Sequence, residues 1–468
     1  MESVSWIGKL FRSVELSLSG LAIPSNRHTD VIRSGSTAGP VPLTGFDIIG
    51  GHQYSWHTYL FRAAPDPARL KAALRVVLKQ IPVFAGRLRS AKGGELYIDC
   101  NDAGIPFTVV DMEGRLPDYG MHHPVDTDHR RFVDSPPLRV IDTNSPLCSI
   151  RLTRFSTGGA IIGLVWTHSL VDGTGYMQFV SRWARECRGE PPLPAPELDR
   201  RLLLNAAWGS GDTPCDVSTL IKTSVLDRLR LAARIAWSIR YQVDHYPLRI
   251  SSRQVELVRH LRSAANERFG GEYRITTNDM LCAIIWKRLA QVRQPVRTCS
   301  LALIRNLRGM RGIGLPESYI GNALMQVFLT CDFKQLLTDP ADNVARQIRA
   351  ATNRITPYQV RRELAYMTKQ MKAGTRFTNR GFIASYGHGL ICNNVSRFPV
   401  HELDFGTGKP FWIDGPTRKI VHRLCAISPT LDNDGSLIMH LILPREEMKR
   451  FQVRNGKDFM VGDDFWLP

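Results

Sequence analysis

The sequence predicts an α/β protein built from two domains, each a mixed β-sheet flanked by helices. Its 468 residues are too many for a single ordinary hydrophobic core. Helical and strand patterns alternate in both halves, which is typical of α/β domains. A proline-rich run at 191–196 interrupts the alternation. We therefore assign residues 1–190 to the first domain, 191–222 to a crossover linker and 223–468 to the second domain.

In the first domain the clearest helix begins at Asp66 and Pro67, a capping residue followed by proline at the first helical position. Apolar residues then recur at helical spacing as far as Ile81. Short strands are predicted at 95–98 and 107–110. The continuous apolar run at 160–166 predicts a buried strand, and another helix follows Gly173.

In the second domain a helix is predicted to start at Thr277, with apolar residues on one face as far as Val292. A strand follows at 298–304, and two further helices are predicted around 344–348 and 361–371. Late strands fit 419–427 and 437–443. Both halves thus mix helices with strands.

The composition argues against several classes of protein. The formal charge is +18, yet arginine and lysine are scattered and no nucleic-acid-binding motif is visible, so we expect no nucleic-acid partner. The apolar runs are far shorter than a membrane span, and charges interrupt the N-terminal apolar residues. We therefore expect no membrane partner and a cytoplasmic location. Nine cysteines without Cys-x-x-Cys spacing favour free thiols over disulfides or a metal site.

The main candidate for chemistry is His168, which ends the predicted buried strand and precedes Asp172 and Gly173. A neutral imidazole with a pKa near ~6.5 suits proton abstraction. Asp172 could hold the local structure or orient the imidazole, and Gly173 would allow a sharp turn into the helix. This pattern alone is equally compatible with a hydrogen-bonded core histidine. A second His-x-x-x-Asp match at 122–126 contains a proline and is predicted to be a surface loop.

Two later segments also stand out. At 404–410 an aspartate is followed by Gly406 and Gly408, and turn chemistry, with Asp404 accepting from its own backbone, explains this pattern better than phosphate binding. Arg308 follows an apolar strand, and if buried it needs a carboxylate, for which Asp172 is the obvious candidate. A solvated surface arginine is the alternative.

Taken together and in this order, these segments resemble the BAHD acyltransferase family, CoA-dependent enzymes with a chloramphenicol-acetyltransferase-like fold. The matching stretches cover nearly the whole chain and are Leu43-Thr44-Gly45-Phe46-Asp47, Ala85-Gly86-Arg87-Leu88, His168 to Gly173, Thr276-Thr277-Asn278-Asp279, residues 306–322, and Asp404 to Pro410. The resemblance implies that His168 is the general base, in a channel between two domains. It also implies structural roles for Asp172, paired with Arg308, and for Asp404 with its glycines.

The sequence departs from the family pattern at two places. Thr407 replaces the usual tryptophan of the glycine loop, and Asn393 and Asn394 stand where many members have Thr-Ser-Trp. Either asparagine could donate a hydrogen bond to a tetrahedral oxyanion, and ordinary turn residues are the alternative. For coenzyme A, the family position points to Ser251, Arg253 and Arg262, against the alternative of solvated surface arginines.

The resulting hypothesis is an acyl-CoA-dependent O-acyltransferase, or N-acyltransferase, that moves an acyl group, by family analogy acetyl, to a small specialised metabolite. It implies acyl-CoA as co-substrate, no permanently bound cofactor or metal, and a monomer. One alternative is a condensation-domain-like enzyme that takes its acyl group from a carrier protein, since an acidic carrier could dock on a basic chain. The other is a catalytically inactive small-molecule-binding homologue.

Overall fold

The computed structural model describes residues 24–49, 51, 54–116, 129–137, 140–241, 243–270, 274–415 and 421–455. These residues form two six-stranded sheets, a three-stranded sheet and a two-stranded ribbon, with helices packed around them. The predicted α/β class with two sheet-containing bodies is thereby confirmed. The strands are β1 (Pro24–Ile32), β2 (Val41–Pro42), β3 (Tyr54–Phe61), β4 (Arg87–Ser90), β5 (Leu96–Asp99), β6 (Ile105–Met112), β7 (Cys148–Phe155), β8 (Ala160–Thr167), β9 (Leu220–Lys222), β10 (Val243–Ile250), β11 (Thr298–Asn306), β12 (Leu324–Asp332), β13 (Phe377–Asn379), β14 (Gly389–Asn394), β15 (Trp412–Asp414), β16 (Leu424–Pro429) and β17 (Leu437–Pro444).

The helices start where the sequence offers caps. Asp66 accepts hydrogen bonds from the amides of Ala68 and Arg69, and Thr276 forms a capping box with Asp279. Both starts were predicted. The α-helices are α1 (Gly45–Ile49), α2 (Pro67–Gln80), α3 (Gly173–Arg188), α4 (Arg201–Ala206), α5 (Val225–Tyr241), α6 (Ser252–Phe269), α7 (Thr277–Ala290), α8 (Phe333–Thr338), α9 (Ala341–Asn353), α10 (Pro357–Lys372), α11 (Arg380–Ser385) and α12 (Arg445–Asn455).

The first large sheet has the strand order β1-β6-β7-β8-β3-β15. Its β8 strand lies between β7 and β3, and every residue of β8 is buried. This is the buried strand predicted from the apolar run. Since β8 leads through a short turn into α3, the segment between them lies at an edge of the sheet.

The second large sheet has the order β10-β17-β16-β14-β11-β12. Strands β11, β14 and β16 are parallel to one another, and β10 runs in the same direction because both β10 and β16 are antiparallel to β17. The carboxyl ends of these four strands therefore meet at one edge of the sheet. The late strand predicted at 419–427 is observed as β16, and residues 416–420 lie outside the described part.

The second half of the sequence also contributes to the first sheet. Strand β15 pairs with β3, and Phe405 is buried against the rings of Phe61 and Trp183. A ten-residue stretch that the sequence assigns to the second domain thus packs on the first. The domain boundaries at 190 and 222 stay a prediction.

Candidate active site

His168 directly follows β8, at the point where the buried strand ends. The residues on either side of it are buried, whereas His168 itself is half-buried. The chain then turns, with the amide of Leu170 donating to the carbonyl of Thr167, and enters α3 at Asp172. The His-x-x-x-Asp spacing therefore covers one strand-to-helix turn.

The carboxylate of Asp172 is fully occupied by structural contacts. One oxygen accepts from the amide of Gly175 at 2.9 Å and from Arg308 Nη2 at 3.0 Å. The other accepts from Arg308 Nη1 at 2.8 Å and from the amide of Ala323 at 3.0 Å. These contacts use about four lone-pair sites, which is what a carboxylate offers. Of the two roles left open by the sequence, this geometry fits holding the local structure.

Arg308 is buried and uses all its donors within the protein. Besides the paired bonds to Asp172, its Nε donates to the carbonyl of Tyr319 at 2.8 Å. Its remaining N–H groups reach the Asn306 side chain at 3.1 Å and the carbonyl of Gly321 at 2.7 Å. A guanidinium has five N–H groups, so none is left for a substrate. The structure thus brings Asp172 and Arg308 together in a bidentate pair, as the resemblance implied.

A second buried ion pair lies beneath the same turn, and the sequence analysis missed it. Asp47 and Arg200 are both fully buried, with Arg200 Nη1 3.3 Å from Asp47 Oδ2. Arg200 also donates to the carbonyl of Leu170. Asp47 belonged to a family-like stretch, but Arg200 carried no local signal, since it is one of 61 basic residues and follows the proline-rich run.

Asn322 links this second pair to His168. Its side-chain nitrogen donates to Asp47 at 3.0 Å and to the backbone carbonyl of His168 at 2.9 Å. The backbone amide of Asn322 donates to the same Asp47 oxygen at 3.0 Å. The turn that carries His168 is therefore held by contacts from both halves of the chain.

Gly173 leaves room for a neighbouring ring and does not adopt an unusual backbone angle. It is the first residue of α3, and its φ is not among the positive values of the described glycines. A Cβ there would lie 3.2 Å from the ring of Phe398. We expected Gly173 to allow a sharp turn. Its observed feature is instead the close approach of a side chain from the second half of the chain.

The glycine loop is a closed turn, as predicted. One oxygen of Asp404 accepts from the amides of Gly406, Thr407 and Gly408 at 2.7, 3.1 and 3.0 Å. Both glycines have positive φ, at 97° and 96°, which residues with a Cβ rarely adopt. Arg188 donates to the carbonyl of Asp404, and Thr407 to that of Ala63. These contacts anchor the loop to the first domain.

The strand β14 directs its two asparagines to opposite faces of the second sheet. Asn394 donates to Asn278 of α7 at 2.7 Å and accepts from the amide of Ser396 at 2.9 Å, so its side chain is engaged on the helix side. Asn393 is in register with Ala426 of β16, which in turn faces His440 of β17. Asn393 therefore shares a face with His440, away from α7.

Of the residues expected near coenzyme A, Ser251 caps α6. Its hydroxyl accepts from the amide of Gln254 at 3.2 Å in a capping box. Arg253 is exposed in the first turn of α6, whereas Arg262 donates to Ser263 at 3.0 Å. Nine residues of helix separate the two arginines by about 13 Å and half a rotation. They cannot both face one ligand group at the start of the helix.

Two histidines near the junction of the sheets were not singled out by the sequence. His57 of β3 stacks on Trp166 and Tyr176, with ring centroids 5.2 and 5.0 Å away. Burial, and to a lesser extent nearby His440, lowers the pKa of His57 to about 3. Burial lowers the pKa of His440 to about 4. His440 stacks on His245, with 5.6 Å between ring centroids.

No group of three or more metal-ligating side chains occurs among the described residues. All nine cysteines are buried free thiols, which agrees with their interpretation as core residues. The second His-x-x-x-Asp match, at 122–126, lies outside the described residues.

Comparisons with known proteins identify the family and the fold of this chain. A family model described as the Transferase family matches residues 37–457. Hydroxycinnamoyltransferase 2 of Oryza sativa subsp. japonica is 25% identical over 397 residues, covering 83% of this chain and 86% of that protein. Vinorine synthase superposes with a TM-score of 0.65 at 17% identity, covering 93% of this chain and 97% of its own. F. graminearum TRI101, solved with coenzyme A and deoxynivalenol, superposes with a TM-score of 0.67 at 17% identity, covering 90% and 98%.

The fold and the family match define an acyltransferase with the two-domain, chloramphenicol-acetyltransferase-like architecture. More specifically, the chain belongs to the Transferase family, that is, to the BAHD-type acyltransferases, because the family model matches most of its length. The likeness to the solved structures establishes the fold.

Proposed function

We propose that this acyltransferase moves an acyl group from acyl-CoA directly to a hydroxyl group of a small metabolite, with His168 as the general base. One observation carries the proposal. The turn bearing His168 is held by the two buried ion pairs, Asp172–Arg308 and Asp47–Arg200, while His168 itself stays half-buried. Rigid support of one accessible imidazole is what general-base catalysis requires.

In the proposed reaction, His168 takes the proton of the acceptor hydroxyl as its oxygen attacks the thioester carbonyl. The new carbon–oxygen bond forms, and the carbonyl oxygen becomes a tetrahedral oxyanion. When the intermediate collapses, the carbon–sulfur bond breaks and the imidazolium returns the proton to the CoA sulfur. No covalent acyl-enzyme is needed. Asn393, on the face shared with His440, is the better placed of the two asparagines to donate to the oxyanion, because Asn394 is already engaged.

For the donor, the start of α6 is the proposed coenzyme A contact. Strand β10, which precedes α6, ends at the same sheet edge as β11. Arg308, which contacts the His168 turn, follows β11 along the chain. The two strands are four positions apart in the sheet, or about 19 Å at ~4.8 Å per strand. The amides at a helix start attract phosphate, and the exposed Arg253 adds a positive charge there.

The acyl group and acceptor are proposed more broadly. Acetyl, the group implied by the family resemblance, is the first candidate, and the name of the rice relative adds hydroxycinnamoyl as the second. Two relatives from Avena sativa are named as N-hydroxycinnamoyltransferases, so amines belong in the acceptor screen beside alcohols. A carrier-protein donor and an inactive binding protein remain the competing hypotheses.

The deciding experiment is a calorimetric titration of the protein with coenzyme A and with dephospho-CoA at low salt. Micromolar binding that weakens for dephospho-CoA would support CoA as the donor handle. A screen of acetyl-CoA and hydroxycinnamoyl-CoA against alcohols and amines would then follow. Absence of binding to either compound would refute the CoA hypothesis and favour a carrier-protein donor.

A further inference from the structure

Helix α5 carries an apolar surface that faces away from the protein. Leu226, Leu229 and Trp237 are 54%, 51% and 59% exposed. At about 100° per residue their side chains fall within roughly 80° of one another around the helix. We call these three residues the α5 ridge. Single exposed apolar residues are ordinary, but an aligned set on one helix is not.

The ridge is not the face by which α5 packs on the protein. Leu231, Ala232 and Ile235, on the other side of the helix, are half-buried. Arg234 holds the helix in place, with its guanidinium 5.5 Å from the ring centroid of Tyr386 and a 3.1 Å hydrogen bond to the Tyr386 carbonyl. The helix therefore has one apolar face for its own core and a second that points outward.

Positive charge lies beside the ridge and at the start of α5. Arg230 is exposed on α5, about 60° around the helix from the middle of the ridge, whereas the exposed Arg228 lies on the opposite side of the helix. Three more exposed cations lie in or beside the β9–β13 ribbon, which leads into α5: Lys222 in β9, Arg376 just before β13 and Arg380 just after it. The acidic residue in the first turn, Asp227, is engaged by the amide and hydroxyl of Ser224 in the helix cap. The surface is therefore apolar along one line, with positive charge on one side of that line and at the start of the helix.

We propose that α5 docks on an anionic phospholipid surface, with the ridge at the boundary between headgroups and acyl chains and the flanking cations on lipid phosphates. Leucine and tryptophan beside arginine on one helix is the arrangement that lies in a bilayer interface. The chain's charge of +18 adds long-range attraction to such a surface. This docking departs from the sequence-based expectation of no membrane partner.

The proposal concerns a helix lying on the bilayer. Within the described ranges no helix is long and apolar enough to cross a membrane. A second copy of this chain is a poorer occupant of the ridge, because it would bring the positive charge beside the ridge close to the same charge of its partner.

Vesicle co-sedimentation tests the proposal. The full chain is mixed with vesicles of pure phosphatidylcholine or of equal parts phosphatidylcholine and phosphatidylserine, at low and at physiological salt. We expect binding to the anionic vesicles only, weaker at the higher salt. Leu229→Glu with Trp237→Glu should lower the partition coefficient about tenfold or more, and so should Arg230→Glu with Arg376→Glu.

Two variants on α2 are matched controls, because Arg75 and Val76 are also exposed but lie on a different helix from the ridge. Arg75→Glu and Val76→Glu should bind vesicles as the unchanged protein does, and circular dichroism verifies that every variant is folded. Undiminished binding by the Leu229 and Trp237 double variant would overturn the proposal, since net charge alone would then explain attachment. Absence of vesicle binding would also overturn it. The same holds if the ridge instead mediates a dimer of this chain or a complex with an acidic protein.

Discussion

His168 and Asp172 are four residues apart and have separate tasks. The carboxylate is saturated by two backbone amides and both terminal nitrogens of Arg308, so its contacts are structural. The same turn receives Asn322 at the carbonyl of His168 and Arg200 at that of Leu170. Asn322 and Arg200 thus fix the backbone of the turn that carries His168.

Replacing the proposed base tests its role directly. We expect His168→Ala to lower kcat by about 10²–10⁴-fold, since this is the usual contribution of general-base catalysis. Steady-state kinetics with the acyl-CoA and acceptor found by screening measures the loss, and calorimetry should show that CoA binding persists. His28→Ala, an exposed histidine, is the control and should keep full activity. A His168→Ala enzyme with most of its turnover would disprove the assignment.

The buried aspartates should act mainly on stability. Asp172→Asn and Asp47→Asn each leave a buried arginine without its counter-charge, which costs about 3–5 kcal/mol of unfolding free energy. Urea unfolding followed by circular dichroism gives that loss. Asp199→Asn is the control, because its pairing with Arg201 is at the surface and should contribute little. An Asp172→Asn variant as stable as the parent but inactive would contradict the structural role.

At the scale of elements, we expect the start of α6 to act in donor binding and the glycine loop to act in folding. Helix α6 presents its first turn at the sheet edge shared with the site, whereas the glycine loop is tied to the first domain through Asp404 and Phe405. Changes in α6 should therefore alter donor binding, and changes in the loop should alter stability.

Helix geometry makes the two α6 arginines unequal. Arg253→Glu should raise the KM for acyl-CoA about tenfold or more with kcat unchanged, because a charge-assisted contact to phosphate is replaced by repulsion. Arg262→Glu, half a rotation away, is the matched control and should leave KM near its original value. Equal effects of the two substitutions on KM would exclude a specific contact at the helix start.

For the glycine loop we expect a change in stability and little change in activity. Asp404→Ala removes the acceptor of three backbone amides and should lower the free energy of unfolding by about 1–3 kcal/mol. Activity per folded molecule should stay close to that of the parent. Thermal unfolding and active-enzyme titration distinguish the two quantities, and a stable variant with greatly reduced kcat would place the loop in the chemistry.

At the scale of the whole molecule, strand β15, the Asp172–Arg308 pair and two neighbouring histidines link the two halves of the chain. His57 comes from the first sheet and His440 from the second, and each is held neutral by burial. Their neighbours on this junction include His245, Trp166 and Tyr176. Protonation of these histidines therefore opposes the folded, joined state.

Acid should destabilise the protein through these two histidines. Unfolded histidine has a pKa near ~6.5, whereas His57 and His440 fold with values of about 3 and about 4, so the unfolded chain binds more protons in between. Stability is then fully present above the unfolded pKa and falls as the pH drops towards the folded values. Urea unfolding at several pH values should show this slope flattened in His57→Gln with His440→Gln. His260→Gln, at an exposed site, should leave it unchanged.

The sequence by itself determined the α/β class, the buried strand before His168 and the starts of the main helices. These features depend on the spacing of apolar residues and on caps, both of which are local properties of the chain. The pairing of Asp172 with Arg308 came from family resemblance and the need of a buried arginine for a carboxylate. The glycine loop was also predictable, because Asp404 and its two glycines lie within five residues.

Only the tertiary structure decided the rest. The Asp47–Arg200 pair joins residues 153 positions apart, and nothing local marks which of 61 basic residues will be buried. The packing of α7 on the second sheet decided that Asn394 faces the helix and that Asn393 faces the other side. Likewise, β15 joins a sheet whose other strands lie in the first half, and His57 meets His440 only there. Such contacts are decided by the burial of distant surfaces, which local propensity does not encode.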